Sequence, residues 1–224
     1  MPVHQEQPDM RAILQKYSKL KPDFEKWLRK VMDSLEATPE IKKLKPLFKS
    51  RIKSPKSLAK KVKINYDPIT QPISSDNLTF EIEDLCGLRM IVPHKGCLAG
   101  VDQCIRSREG EDWRVTATKY YAWHEKEVKE LIDLGQEPMS KESIYCSRHY
   151  ILTPPTAETY REAIKCELQV RTILEEALFE NEHEIRYKNC HHQVITELFQ
   201  YMAQIFEVHD QVIKSAYDWA DILE

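Results

Sequence analysis

The stretch Ile164 to Lys188, IKCELQVRTILEEALFENEHEIRYK, constrains the fold most tightly, because its side-chain period switches from two to helical within a few residues. From Ile164 to Arg171 the alternation is strict. Ile164, Cys166, Leu168 and Val170 share one face, and Lys165, Glu167, Gln169 and Arg171 share the other. Beyond Arg171, the residues Glu175, Glu182, His183 and Arg186 recur at spacings that let several of them lean toward the strand's polar face. A carboxylate, an amide and a guanidinium on one rigid edge make a candidate reaction floor. A solvent-facing strand can also carry such a row for solubility alone.

Such a strand and helix need a core to pack against. With 224 residues, 42% of them apolar, the chain can bury one sizeable domain, with or without a helical extension. Five glycines and a mean hydropathy of -0.56 point to a helix-rich soluble protein. The net charge of -3 hides a local concentration of cations. Lys42, Lys43, Lys45, Lys49, Arg51, Lys53, Lys56, Lys60, Lys61 and Lys63 follow one another with no acidic residue among them. The run is either an anion-binding surface or a solvated lysine face. No apolar run approaches the roughly 20 residues that span a bilayer, and MPVHQEQPDM lacks the features of a signal peptide, so the expectation is a cytoplasmic protein with no membrane contact. Six cysteines without a CxxC pair or zinc spacing read as reduced thiols, and His191 and His192 beside Cys190 as a polar helix junction.

Taken in order, the chain begins with a helical region from about Asp9 to Leu35, where Phe24, Trp27, Leu28, Val31 and Leu35 form an apolar stripe after a break near Pro22. A strand follows over Leu47 to Lys53. Ser54 and Pro55 then give the N-cap and first-turn signals of a helix that runs to about Val62. Lys53, Ser57, Lys60 and Lys61 gather around that helix start, where free backbone N–H groups and the dipole favour a polyphosphate; an amphipathic surface helix is the alternative. Asn65 to Asn77 reads as a loop. In FEIEDLCGLRMIV a buried strand covers Leu88 to Val92, and Asp84 sits at its approach; D-x-x-G-x-R alone is a weak signal. A helix near Leu98 to Arg106, a strand near Trp113 to Tyr120 and an exposed helix or loop over His124 to Pro138 come next. Tyr145, Ser147 and His149 then share one face of another strand, where a tyrosine either stacks on a nucleobase or sits half-buried in the sheet. From Val194 onward, Ile195, Leu198, Met202, Ile205, Val212, Ala216, Trp219 and Leu223 fall in a near-heptad pattern with His209 at one seam position, a helix expected to pack on the domain core or on another chain.

Four motifs in this order, RIKSPKSLAKK at Arg51 to Lys61, DLCGLR at Asp84 to Arg89, YCSRH at Tyr145 to His149, and ELQVRT with ENEH at Glu167 to Thr172 and Glu180 to His183, resemble the synthetase domain of the RelA/SpoT family, especially its small stand-alone alarmone synthetases. The resemblance covers about residues 45 to 190, leaving an N-terminal helical extension over 1–44 and a C-terminal helix over 191–224. It implies an α+β fold, a mixed sheet of about five strands flanked by helices, of nucleotidyltransferase type. It also implies roles for individual residues. Arg51 and Arg89 would sandwich the adenine of ATP, and Lys53, Ser57 and Lys61 would cradle its phosphates. Asp84 and Glu167 would hold Mg²⁺, with Glu167 also accepting the proton of the attacking hydroxyl and Gln169 beside it. Tyr145 would stack on the acceptor base, with Ser147, His149, Arg171, Glu182 and His183 lining or supporting that site. The implied reaction moves the β,γ-pyrophosphate of ATP to a ribose 3′-hydroxyl and releases AMP. Ile144 stands where the family has a glycine and Cys146 where it has a basic or polar residue, which makes the acceptor loop stiffer and less cationic. Three readings of the acceptor stay open: GTP or GDP, giving an alarmone; the 3′-end of tRNA, as in the family's toxic branch, with the lysine run as RNA footprint; and a catalytically inactive RNA-binding module. An antitoxin or a further copy of the chain would be the partner of the C-terminal helix.

Overall fold

The Cys166–Thr172 segment is strand β6 of a six-stranded mixed sheet and leads without a loop into helix α7, Ile173–Tyr187. The junction is a capping box: the Glu175 N–H is bonded to Thr172 Oγ1 at 3.2 Å, and the Thr172 N–H donates to Glu175 Oε2 at 2.8 Å. Glu175 is therefore held at the helix start, and it is Glu176 that reaches the strand's polar face. The computed structural model describes residues 8–64, 73–139, 144–156, 160, 163–187 and 193–223. The side chain of Arg186, most of the expected loop over Asn65 to Asn77, and Cys190 to His192 fall outside the described residues.

The remaining strands are β1 (Leu47–Ile52), β2 (Cys86–Val92), β3 (Arg114–Tyr121), β4 (Pro138–Met139) and β5 (Ser147–Thr153). Their order across the sheet is β1, β2, β6, β5, β3, β4, with β2 parallel to β6 and β3 parallel to β4. The sheet thus has one strand more than expected, the two-residue β4 at the edge. The helices are α1 (Met10–Ala37), α2 (Pro39–Lys43), α3 (Pro55–Ile64), α4 (Leu78–Glu81), α5 (Cys97–Ser107), α6 (Glu125–Asp133), α7 and α8 (Gln193–Leu223). Ser54 caps α3 as its sequence predicts, its Oγ accepting the Ser57 N–H at 3.1 Å.

The sheet's apolar face carries Leu88, Met90, Tyr150, Leu152, Leu168 and Val170, which share one buried cluster with Ile13, Tyr17, Phe24 and Trp27 of α1. Trp27 is fully buried, and its indole N–H donates to the Leu152 carbonyl at 3.2 Å. No break occurs at Pro22: α1 is continuous through it. Ile13, Tyr17, Leu20, Phe24, Trp27, Val31 and Leu35 keep one buried stripe on both sides of the exposed proline, so packing of that stripe outweighs the one backbone hydrogen bond the ring removes.

Helix α8 also differs from expectation, in phase. It docks through Phe199 and Ala203, which pack with Leu178 of α7 and Ile144. Below them, Glu207 accepts a hydrogen bond from Lys95 at 2.5 Å and Asp210 one from the Thr172 hydroxyl at 3.2 Å. Leu198, Ile205, Val212 and Trp219, which the heptad reading placed on the packed seam, are exposed. Two buried carboxylates with specific partners set the rotation of the helix, and a pattern of apolar residues alone does not register them. The five described cysteines are free thiols.

Because α1 seals the apolar face of the sheet, Trp27→Ala is expected to destabilise the whole domain by about 3–5 kcal/mol, measured by urea unfolding. A loss confined to local fraying of α1 would contradict that role.

Candidate active site

The polar face of the sheet is built by strand register. Lys49, Arg89, Gln169, His149 and Lys119 are successive cross-strand partners on β1, β2, β6, β5 and β3. One row further along, Arg51 pairs with Gly87, and Gly87 with Glu167. The Arg51 side chain passes beside Gly87, where a Cβ would make ordinary van der Waals contact with Arg51 Cγ at 3.8 Å. These rows floor an open cleft of about 780 Å³, a size suited to a nucleotide. Arg51, Lys61, Asp84, Arg89, Tyr145, His149, Glu167, Gln169, Arg171, Glu182 and His183 all line it.

Asp84 and Glu167, far apart in sequence, face the same cleft. Asp84 forms ion pairs with Lys53, with Lys61 at 2.6 Å and with Arg51 at 3.7 Å. Burial pushes its pKa up, but the bonds from Lys53 and Lys61 outweigh that and hold it below the usual carboxylate value. Glu167 accepts from His149 Nδ1 at 3.1 Å and from Gln169 Nε2 at 2.7 Å. There too burial is outweighed, by His149 and Gln169, and the pKa is lowered, while the Asp84 charge works in the opposite direction. Two ionised carboxylates therefore share one cleft, Asp84 paired with cations and Glu167 held by hydrogen bonds from an imidazole and an amide. Lys53 reaches Asp84 from a buried position behind the cleft, and Ser57 lies on the exposed first turn of α3, outside the cleft lining.

The other wall is organised by Arg171, which is 1% exposed. Its guanidinium donates to the Tyr145 hydroxyl at 2.6 Å, Gln169 Oε1 at 2.9 Å, Ser147 Oγ at 3.2 Å and Glu176 Oε2 at 3.2 Å. It also lies 4.1 Å from the Phe179 ring centroid and 4.8 Å from that of Tyr145. A buried guanidinium is tolerable only when its donors are satisfied in this way. Tyr145 is buried rather than presented to solvent, and its hydroxyl lies 2.7 Å from His149 Nε2. An ionised Glu167 only accepts, so His149 carries a proton on Nδ1; Arg171 donates to the phenol oxygen, which directs the phenol proton toward Nε2. Glu167, His149, Tyr145 and Arg171 thus form one continuous chain of hydrogen bonds.

Several residues in the cleft or behind it escaped the sequence reading. Glu176 accepts from Lys49 at 2.8 Å and from Arg89 at 2.6 Å as well as from Arg171, and it binds β1, β2 and β6 to α7. Arg89 is bonded also to Glu180 at 2.6 Å and lies over the Phe179 ring at 5.2 Å. Lys119 and Tyr121 alternate on β3 and enter the cleft together, Lys119 paired with Glu83 at 2.5 Å. The signal was present: Lys119 and Tyr121 share strand parity, and Glu176, Phe179, Glu182 and His183 share one helical face. Away from the cleft, Glu127, Cys146 and Glu175 lie close enough together to hold an ion, but the Lys95 ammonium already occupies their side, 3.0 Å from Glu127 and 3.9 Å from Glu175.

Two measurements follow from these contacts. Arg171→Met leaves Glu176 and the Tyr145 hydroxyl short of a buried partner and is expected to cost about 3–5 kcal/mol of unfolding free energy, with little rescue by lysine, which cannot fork to four acceptors. Asp84 and Glu167 have folded pKa values below their unfolded ones of about 4, so their stabilisation is present above that pH and is lost as pH falls through the lower folded values. Melting temperature recorded from pH 7 downward should drop below about pH 4 less steeply in Asp84→Asn than in the unsubstituted chain.

The family model described as "Region found in RelA / SpoT proteins" matches residues 50–192. No curated protein sequence matches the chain. Among solved structures, the fold is similar to a GTP pyrophosphokinase family protein from Streptococcus pneumoniae, with TM-score 0.58, 19% identity, and coverage of 93% of this chain and 91% of that one. It is similar to small alarmone synthetase 2 from Bacillus subtilis, with TM-score 0.62, 22% identity and coverage of 88% and 97%. It is similar also to Bacillus subtilis small alarmone synthetase 1 bound to its product pppGpp, with TM-score 0.58, 17% identity and coverage of 77% and 78%. With well over half of its length inside the family region, the chain belongs to the RelA/SpoT family.

Proposed function

We propose that this cleft transfers the β,γ-pyrophosphate of ATP to the ribose 3′-hydroxyl of GTP or GDP, releasing AMP and forming an alarmone. The observation that carries the reading is the pair of ionised carboxylates, Asp84 and Glu167, set between a cationic edge and a buried aromatic wall. Arg51, Lys53 and Lys61 converge on Asp84, and a polyphosphate arriving there takes over cations that the free carboxylate now engages. Arg51 and Arg89 on adjacent strands are the purine-binding pair. Arg89 is held in place by Glu176 and Glu180, so its plane is set before a nucleotide arrives.

The donor set fits Mg²⁺: two hard oxygen ligands in one cleft, both held in the ionised form that the metal needs. Asp84 and Glu167 would hold the ion, which supplies neutralisation of phosphate charge when bound. Glu167 also accepts the proton of the attacking hydroxyl. Gln169 and His149 fix its two oxygens, so the acceptor meets a base that does not need to reorient. Tyr145, Arg171 and Phe179 form the wall on the acceptor side. The solved relative bound to pppGpp supports a guanosine product as the first candidate.

A second acceptor is favoured by one observation. Lys42, Lys43 and Lys45, in or just after α2, and Lys56, Lys60 and Lys63, on α3, are all exposed, and exposed lysines suit the backbone of tRNA. Incubation with γ-labelled ATP and either GDP, GTP or deacylated tRNA separates the readings: label in nucleotide is the expected result, and label in tRNA transfers the same chemistry to the toxin reading. Salt-sensitive RNA binding with no label in any acceptor would mark an inactive RNA-binding module. Glu167→Gln is expected to lower transfer about 10²–10⁴-fold with the melting temperature kept, and an active variant would remove Glu167 from the role of base.

A further inference from the structure

Helix α1 lies outside the family region, which begins at residue 50, yet one of its side chains holds the turn from which Lys53 reaches Asp84. Tyr17 is 2% exposed, and its hydroxyl donates to the Lys53 carbonyl. Burial pushes the phenol pKa up to about 12, so the hydroxyl keeps its proton and stays a donor. The carbonyl it serves stands in a gap between two regular elements. Strand β1 ends at Ile52, Pro55 has no N–H to offer, and the first bond of α3 runs from the Leu58 N–H to the next carbonyl, that of Ser54, at 2.9 Å. Among the described residues no backbone N–H is directed to the Lys53 carbonyl. A buried carbonyl is costly without a donor, and the phenol supplies one.

Lys53 is thus fixed at three points. Its N–H donates to the Leu85 carbonyl at 3.0 Å, its carbonyl accepts from Tyr17, and its ammonium pairs with Asp84, the neighbour of Leu85. The cations that follow depend on the path of the chain here: Ser54 caps α3, and Lys61 on that helix meets the other oxygen of Asp84 at 2.6 Å. The apolar side of α3, Leu58 and Val62, shares the buried cluster of Tyr17 and Phe24. Phe24 packs in the same stripe with its ring centroid 6.0 Å from that of Tyr17, so the stripe accepts a ring without a hydroxyl. The hydroxyl serves the turn.

We propose, on the functional reading above, that Tyr17 is a positioning residue for the triphosphate of ATP: its hydroxyl holds the turn between β1 and α3 so that Lys53 and Lys61 are set for the phosphates. Tyr17 is not part of the cleft lining and acts through Lys53. Charge-assisted bonds to phosphate are short and directional, so a small displacement of the turn weakens several of them together.

The test uses the full chain and an ATP analogue with a methylene bridge between its α and β phosphates, titrated by calorimetry in the presence of Mg²⁺. Tyr17→Phe keeps the ring and is expected to weaken binding of the analogue about tenfold, the size of effect that loss of one hydrogen bond produces. AMP, which lacks the β and γ phosphates, should bind the variant and the unsubstituted chain equally. Val31→Ala, on the same buried stripe about 21 Å along the helix from Tyr17, should lower the melting temperature through lost packing and leave analogue affinity unchanged. Equal analogue affinity for Tyr17→Phe and the unsubstituted chain overturns the proposal. A matching loss in Val31→Ala, or a matching loss of AMP binding in Tyr17→Phe, overturns it too, because the effect would then be one of general stability. Failure of the unsubstituted chain to bind the analogue is a separate result, which removes the functional reading and this role of Tyr17 with it.

Discussion

The parallel register of β2 against β6 is the constraint on which the cleft depends. It sets Gly87 beside Glu167 and Arg89 beside Gln169, and it draws the turn that carries Asp84 to the same end of the sheet as Glu167. A slip of one residue would send every polar side chain of one strand into the apolar core. The register is locked from both sides. Below, Leu88, Met90, Leu168 and Val170 bury against α1; above, Arg171 and Glu176 join β6 to the helix that follows it. Parallel strands need a long crossover, and here the chain between them makes the far half of the sheet before it returns. Lys119 and Tyr121 of β3 and His149 of β5 reach the cleft through that detour.

Charge in the cleft is balanced locally before any ligand enters. Three cations surround Asp84, an imidazole and an amide hold Glu167, and Glu176 gathers Lys49, Arg89 and Arg171. In a partly buried site each of these groups would be costly alone. Pairing holds them in fixed positions, so the polar groups of the cleft are oriented in advance. The same pairing separates two kinds of residue in one cleft. Arg51 and Lys61 are open enough to change partner, whereas Arg171 is closed on every side and positions Tyr145 and Gln169. Of the residues named from the family resemblance, Ser57 is on the exposed turn of α3 and Ser147 supports Arg171 from behind, both outside the cleft lining.

Much of this was legible in the chain as written. The alternation of Cys166 to Arg171 gave the two faces of β6, Ser54 and Pro55 gave the start of α3, and the shared parity of Ser147 and His149 gave one face of β5, which begins at Ser147 and leaves Tyr145 outside the strand. Each is a local consequence of backbone geometry, which repeats every two residues in a strand and leaves orphan N–H groups at a helix start. Thr172 and Glu175 carry the capping box as plainly, and that signal places Glu175 at the helix start and leaves Arg171 to Glu176. Pro22 and α8 were misjudged for one reason. Local rules weigh a proline or an apolar spacing by itself, while the buried stripe of α1 and the partners of Glu207 and Asp210 come from distant parts of the chain.

By itself the sequence determined which face of each strand is polar, where helices begin, and that lysine-rich and carboxylate-bearing motifs follow one another in a family's order. Those properties depend on neighbours a few residues away. Only the tertiary structure decided that Asp84 and Glu167 face one cleft, that Tyr145 is buried on Arg171 and Phe179, and that Leu198, Ile205, Val212 and Trp219 of the α8 pattern are exposed while Ile195 and Met202 pack. Such outcomes rest on strand register and on long-range competition for burial and for ionic partners, and no short stretch of chain contains the other side of those contacts.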